Sequence, residues 1–100
     1  MRHSSSKPVT GTNGILIPPD GYMQGRARLS ATSIGILLIA DEVMSGFGRT
    51  GEWFAVDHWK VVPDIITMAK GITSAYVQLG AVGLRRKIAD HFNDKPFPEA

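Results

Sequence analysis

From Gly35 to Val43 the chain reads Gly-Ile-Leu-Leu-Ile-Ala-Asp-Glu-Val, an apolar run closed by acids. Asp64 to Gly71 repeats the scheme with an amine: Asp-Ile-Ile-Thr-Met-Ala-Lys-Gly. Short apolar runs of this kind, bounded by Gly or Pro, read as strands buried on both faces. Such strands build parallel sheets, and in open parallel sheets ligands sit at the carboxyl ends of the strands. Asp41 and Lys70 both fall there. An acid and a lysine delivered to one crevice constrain the chain more than any other feature, and the remaining segments read as their support.

The 100 residues suffice for one domain, and 43% hydrophobic with 20% charged residues is ordinary globular material. A net charge of +2 is too small to argue for nucleic acid, and no basic stripe with interleaved aromatics occurs. The densest basic spots, Arg26 with Arg28 and Arg85 to Lys87, fall on expected helix surfaces and read as solvated faces. The absence of cysteine excludes disulfides and thiolate metal sites, and His3, His58 and His91 lack metal-ligand spacing. The longest apolar run, Ile34 to Ala40, is far short of the about 20 residues that span a bilayer. Met1 to Lys7 has no apolar core and is not a secretory signal. These features set a cytoplasmic protein as the expectation, with a mitochondrial one also compatible, and with neither nucleic acid nor membrane as partner.

Along the chain, residues 1–7 are polar and unpatterned, a tail expected to fray. Gly14 to Ile17 is a short extended piece closed by the turn Pro18-Pro19-Asp20-Gly21. Tyr22 to Ser33 allows an amphipathic helix through Tyr22, Met23, Ala27 and Leu29 to Ala31, although Ser30, Thr32 and Ser33 are weak helix formers. Ser45 to Gly51 is a glycine-rich loop, and Glu52 to Trp59 a short helix anchored by Trp53, Phe54 and Trp59. Leu79 to Leu84 reads as a third strand, and Arg85 to Phe92 as a helix with Ile88, Ala89 and Phe92 on one face. The order suits an α/β layer architecture of mostly parallel strands with covering helices. Strands this apolar need more cover than the chain supplies, so the sheet is expected to be incomplete.

Two short motifs fail on their context. Gly46 to Gly51 matches G-x-G-x-x-G, but Glu42 to Ser45 intervene after the strand and no acid follows at the expected interval, so a sharp turn explains it better. Asp41-Glu42 resembles the metal-binding acids of a P-loop ATPase, but no G-x-x-x-x-G-K-[ST] run accompanies it. The pair Asp41 and Lys70 is different. Its bland reading is an ion pair, or a lysine snorkelling from a strand end. Against that stand Gly71, which permits close backbone approach, and Ile65, Ile66 and Met68, which suggest a dry setting for imine chemistry at the lysine. A lysine to hold an aldehyde and an acid to keep a pyridine nitrogen protonated are the equipment of a pyridoxal 5'-phosphate site.

With these residues in view, Leu38 to Gly51 and Asp64 to Gly71 strongly resemble the class III aminotransferases, the omega-transaminase and ornithine/GABA transaminase family. The likeness runs from about Pro8 to Phe92 and includes Val9 to Gly14, Pro18 to Tyr22 and Leu79 to Val82. The interval from Asp41 to Lys70 is also the family's. The resemblance implies part of the large domain of a fold-type I pyridoxal-phosphate enzyme, with residues 1–7 an unrelated tail, 8–92 the domain fragment and 93–100 a loop or truncated end. It implies that Lys70 forms the aldimine and shuttles a proton, that Asp41 pairs with the pyridinium nitrogen, and that Val43 packs against one ring face. The implied reaction is ping-pong transfer of an amino group from an amine or amino acid donor to a keto acid or aldehyde, in an enzyme that is usually a homodimer.

The departures are specific. Lys7 stands where many members have Glu, Met44 where ornithine- and GABA-type members have a ring-contacting Gln, and Gln78 where Pro is common. Ser30 to Ile34 also differs from the usual helix end. The family's phosphate-binding Gly-Ser turn and stacking aromatic lie upstream of these residues, and its phosphate-reaching Ser/Thr downstream. Two readings of function follow: a transaminase active in a complete subunit, or a truncated, non-catalytic remnant that associates with an intact one. Aminomutase or decarboxylase chemistry would use the same Asp41 and Lys70.

Overall fold

In the computed structural model, residues 2–32 and 35–94 are described. Four strands form one sheet in the order of the chain: β1 (Arg2–Ser6), β2 (Ile36–Asp41), β3 (Ile65–Met68) and β4 (Ala81–Leu84). β1 pairs with β2 and β2 with β3 in parallel, while β4 returns antiparallel to β3. Helix α1 (Tyr22–Thr32) carries the chain from β1 to β2, a crossover that parallel neighbours require. A 3₁₀ turn over Ala55–Trp59 lies between β2 and β3, another over Lys70–Ile72 follows β3, and α2 (Arg86–Asp94) follows β4.

The expectation of a fraying tail is overturned for residues 2–6. Their side chains are polar, but β2 is a parallel strand whose backbone groups need partners on that edge, and β1 supplies them from Arg2–Ile36 to Ser6–Ala40. The side chains then tie down locally. Ser6 is buried with its hydroxyl against Met23 Sδ, and the Arg26 guanidinium donates to Ser4 Oγ and to the Ser5 carbonyl. Polar residues also suit a strand that ends a sheet.

The core is narrower than the apolar pattern suggests. Alternation along β2 places Leu38 and Ala40 on one face, where they are buried with Met23, Val56 and Val61. Ala27, Phe54, Trp59 and Ile66 pack around this cluster. Leu37, Ile39 and all of β3 are only half-buried, so the two-sided burial expected of these strands is not reached. In α1 the face on the sheet is Met23, Ala27 and Ser30, at helical spacing, whereas Leu29 is exposed. Ser30 belongs there despite its low helix propensity, because its hydroxyl donates to the Ile36 carbonyl and to Asp64.

Three other expectations change. Gly14 to Ile17 forms no strand, and Ile15, Leu16 and Ile17 are exposed. Trp53 is 72% exposed and anchors nothing, leaving Phe54 and Trp59 in that role. The last helix continues through Asn93 and Asp94, so the expected loop does not begin at 93, and 95–100 lie outside the described residues.

Candidate functional site

Parallel pairing of β2 with β3 sets Asp41 opposite Thr67, and the ladder extends one step as the Glu42 N–H donates to the Thr67 carbonyl. Asp41 therefore ends β2, and Lys70 follows three positions after Thr67 on the neighbouring strand. The register itself brings the two residues to the same carboxyl end of the inner strands.

Asp41 is held by its own surroundings. Its Oδ1 accepts from the Val43 N–H at 3.2 Å and from the Thr67 hydroxyl at 3.4 Å. Its Oδ2 lies 2.7 Å from Lys7 Nζ, with the Asp41 side chain 26% exposed and that of Lys7 56% exposed. Burial works against ionisation, but the hydrogen bonds from Lys7 and Val43 and the Lys7 charge outweigh it and hold the carboxyl below the usual aspartate range.

Lys70 leaves β3 in left-handed backbone (φ 47°) and opens the 3₁₀ turn, its amine against Met44 Sδ. The side chain is exposed, so the dry setting suggested by Ile65, Ile66 and Met68 is not what surrounds it. Lys70 instead borders a cavity of about 400 Å³ with Phe47, Gly48, Arg49, Gly71, Ser74 and Ala75. Phe47, Lys70, Ser74 and Ala75 are four of the five non-glycine residues with positive φ among the described residues. Such backbone costs of order 1–3 kcal/mol per residue and concentrates at binding sites. Gly71 is required by close packing: a Cβ there would lie 2.9 Å from Phe47 Cβ and 3.3 Å from the Gly46 carbonyl oxygen.

The glycine-rich loop behaves as a turn. A Cβ on Gly46 would lie 2.9 Å from the Glu42 carbonyl oxygen, and the Phe47 and Gly48 N–H groups both donate to the Trp53 carbonyl. The returning chain brings Phe47 and Phe54 edge to face at 5.4 Å. No helix follows directly, as a dinucleotide loop would need.

Three partners were not legible in the sequence. Lys7 registers there only as a departure from the family pattern, yet it reaches Asp41. Met44, also a departure, sits between Lys70 and Gly11, whose Cβ would come within 3.1 Å of the Met44 side chain. Glu42, neighbour to Asp41, turns away from it and is fully buried, accepting from the Ala55 N–H at 2.8 Å and the Val56 N–H at 3.2 Å. Burial pushes its carboxyl up, only partly offset by these bonds. One signal for Glu42 was available: successive residues at a strand end face opposite sides, so adjacent acids seldom share a task.

The family model for class III aminotransferases matches residues 6–96. The chain belongs to the class III aminotransferases. It is 50% identical over 88 residues to an omega-aminotransferase of Caulobacter vibrioides, covering 88% of this chain and 20% of that protein. It is 52% identical over 86 residues to the uncharacterised aminotransferase YhxA of Bacillus subtilis, covering 86% and 19%. Among solved structures it superposes on an (S)-enantioselective omega-transaminase of Thermomicrobium roseum with TM-score 0.88 and 46% identity, covering 95% of this chain and 21% of that one. A taurine:2-oxoglutarate aminotransferase of Bifidobacterium kashiwanohense, solved with pyridoxal phosphate and glutamate, gives TM-score 0.90 and 44% identity, covering 98% and 22%. The chain thus spans about a fifth of the length of these family members. Its mostly parallel sheet is a part of their fold-type I architecture, and pyridoxal phosphate is the cofactor that the family indicates. Among the described residues, no helix is long and apolar enough to cross a membrane.

Proposed function

We propose that this chain carries the lysine and the ring-nitrogen acid of a cytoplasmic pyridoxal-phosphate transaminase, which moves an amino group from an amine or amino acid donor to a keto acid or aldehyde. The carrying observation is the β2–β3 register, which delivers Asp41 and Lys70 to the same carboxyl end of the two strands, Lys70 beside a cavity bounded by strained backbone. The residues present fit the cofactor. Asp41 has one oxygen met by the chain and a second reached by a half-exposed lysine, Lys70 is exposed with its amine beside Met44 Sδ, and Gly71 leaves room for no side chain against Phe47.

Bound pyridoxal phosphate supplies an aldehyde that takes up the amino group and a ring that accepts the electron pair released at the substrate carbon. In this reading Asp41 orients the ring and keeps a proton on its nitrogen. The Val43 N–H and the Thr67 hydroxyl occupy Oδ1, so Oδ2 would be the oxygen available to a ring nitrogen. Lys70 Nζ would hold the cofactor and would afterwards carry a proton as general acid–base, a task suited to an amine on a long stem. Val43 contributes the aliphatic side chain that packs on one ring face. A second subunit completes the site, as the dimeric habit of the family suggests.

The test is pyridoxal phosphate titration of the 100-residue chain, followed by borohydride reduction and mass spectrometry. Saturable label on Lys70, abolished in Lys70→Ala and reduced about tenfold or more in Asp41→Ala, is the expected result. Label scattered over Lys7, Lys60 and Lys87, or none, refutes a site assembled by these 100 residues alone and favours the non-catalytic alternative for this chain.

A further inference from the structure

We propose that Lys7 is a displaceable counter-ion for Asp41, a positioning residue that occupies Oδ2 until a protonated ring nitrogen takes its place. The inference rests on the cofactor reading above and adds a residue to it.

The two carboxylate oxygens of Asp41 are held very differently. Oδ1 is met by the Val43 N–H, two residues along the chain, and by the Thr67 hydroxyl on the adjoining strand. Oδ2 is met by an ammonium on a four-carbon stem that is more than half exposed. A pyridinium N–H and the Lys7 ammonium ask for the same oxygen with the same charge, so they compete for it. Lys7 also has somewhere to go. It borders a second cavity of about 400 Å³ lined by Leu16, Ile17, Pro18 and Tyr22, where an alkyl stem can lie on apolar surface with its charge in water. The ion pair gives Asp41 a cationic partner in the free chain and so keeps the carboxylate charged and ready to receive the ring.

Competition of this kind has a binding signature that needs no turnover. Pyridoxamine 5'-phosphate carries the ring nitrogen but no aldehyde, so Lys70 cannot capture it; its analogue with carbon in place of that nitrogen removes the competing cation. Calorimetric titration of the full chain is expected to show Lys7→Gln binding pyridoxamine 5'-phosphate about three- to fivefold more tightly than the parent, the range of one partly exposed ion pair. The carbon analogue should bind parent and variant alike, and the gain should vanish when Asp41→Asn is added. Lys7→Met, which keeps the apolar stem, should reproduce Lys7→Gln. Equal affinity of parent and Lys7→Gln for pyridoxamine 5'-phosphate overturns the inference and leaves the cofactor reading standing, as does an equal gain for the carbon analogue. Binding of neither ligand to any of these chains overturns the cofactor reading and the inference with it.

Discussion

Asp41 and Asp64 occupy opposite ends of the same pair of strands, and the contrast between them sets an acid proposed to serve a cofactor beside a structural one. Both carboxyls are held below the usual aspartate range against the opposition of burial. At Asp64 one oxygen is held by scaffold donors and the other by two cations at once, although the Lys87 side chain is itself 63% exposed. Oδ2 accepts from the Leu38 N–H at 3.0 Å and the Ser30 hydroxyl at 3.3 Å, while Oδ1 meets Lys87 at 3.2 Å and Arg85 at 3.6 Å. Arg85 is itself tied to the Pro63 and Val62 carbonyls. This one carboxylate joins α1, β2 and the start of α2, with its side chain only 11% exposed. At Asp41 the second oxygen meets one half-exposed lysine, Lys7. A depressed carboxyl is thus no sign of function by itself; what matters is whether its last partner can leave.

The comparison breaks most readily at Asp64. Asp64→Ala should lower stability by about 2–3 kcal/mol, since it strands the Leu38 N–H and releases two cations; urea denaturation measures this, and a change below about 0.5 kcal/mol would undo the structural assignment. Glu42→Gln is next, at about 1–2 kcal/mol, because an amide has one acceptor oxygen for the two backbone donors that Glu42 serves. A third test is pH. The native carboxyls of Asp41 and Asp64 are depressed, so the stability they add is complete above the ordinary aspartate range and is lost as pH falls through their native values. Glu42 is raised and acts in the opposite sense, withdrawing stability as pH rises through its native value. Urea midpoints between about pH 7 and about pH 2.5 should therefore pass through a maximum, with a shallower acid limb in Asp64→Asn. The smallest stability effect is expected of Asp41→Asn, under about 1 kcal/mol, because its ion pair is partly solvated. Its cost should appear in cofactor binding instead.

The sequence carried the α/β class, the two parallel strands that end at Asp41 and shortly before Lys70, and the turn nature of the glycine loop, all from local pattern. Much of what it hid was non-local. Nothing in Arg-His-Ser-Ser-Ser announces a strand, since β1 exists through the backbone of β2 rather than through its own side chains. Lys7 lies far from Asp41 along the chain, and no spacing rule links them. Lys87 is the exposed helix charge that the sequence suggested, but its ion pair with Asp64 was not announced by any spacing. The narrow apolar face of α1 was obscured because Ser30 sits on it as a hydrogen-bonding residue, where periodicity alone expects a hydrophobe.

The pairing Asp41–Thr67 also acts as a ruler. A slip of one residue between β2 and β3 would carry Lys70 about 3.3 Å along the strand and turn each β3 side chain to the other face. The Thr67 hydroxyl would leave Asp41 in the same movement. The separation between the amine and the acid is therefore calibrated by hydrogen-bonded backbone, and each of the two side chains can vary its rotamer without resetting the scale.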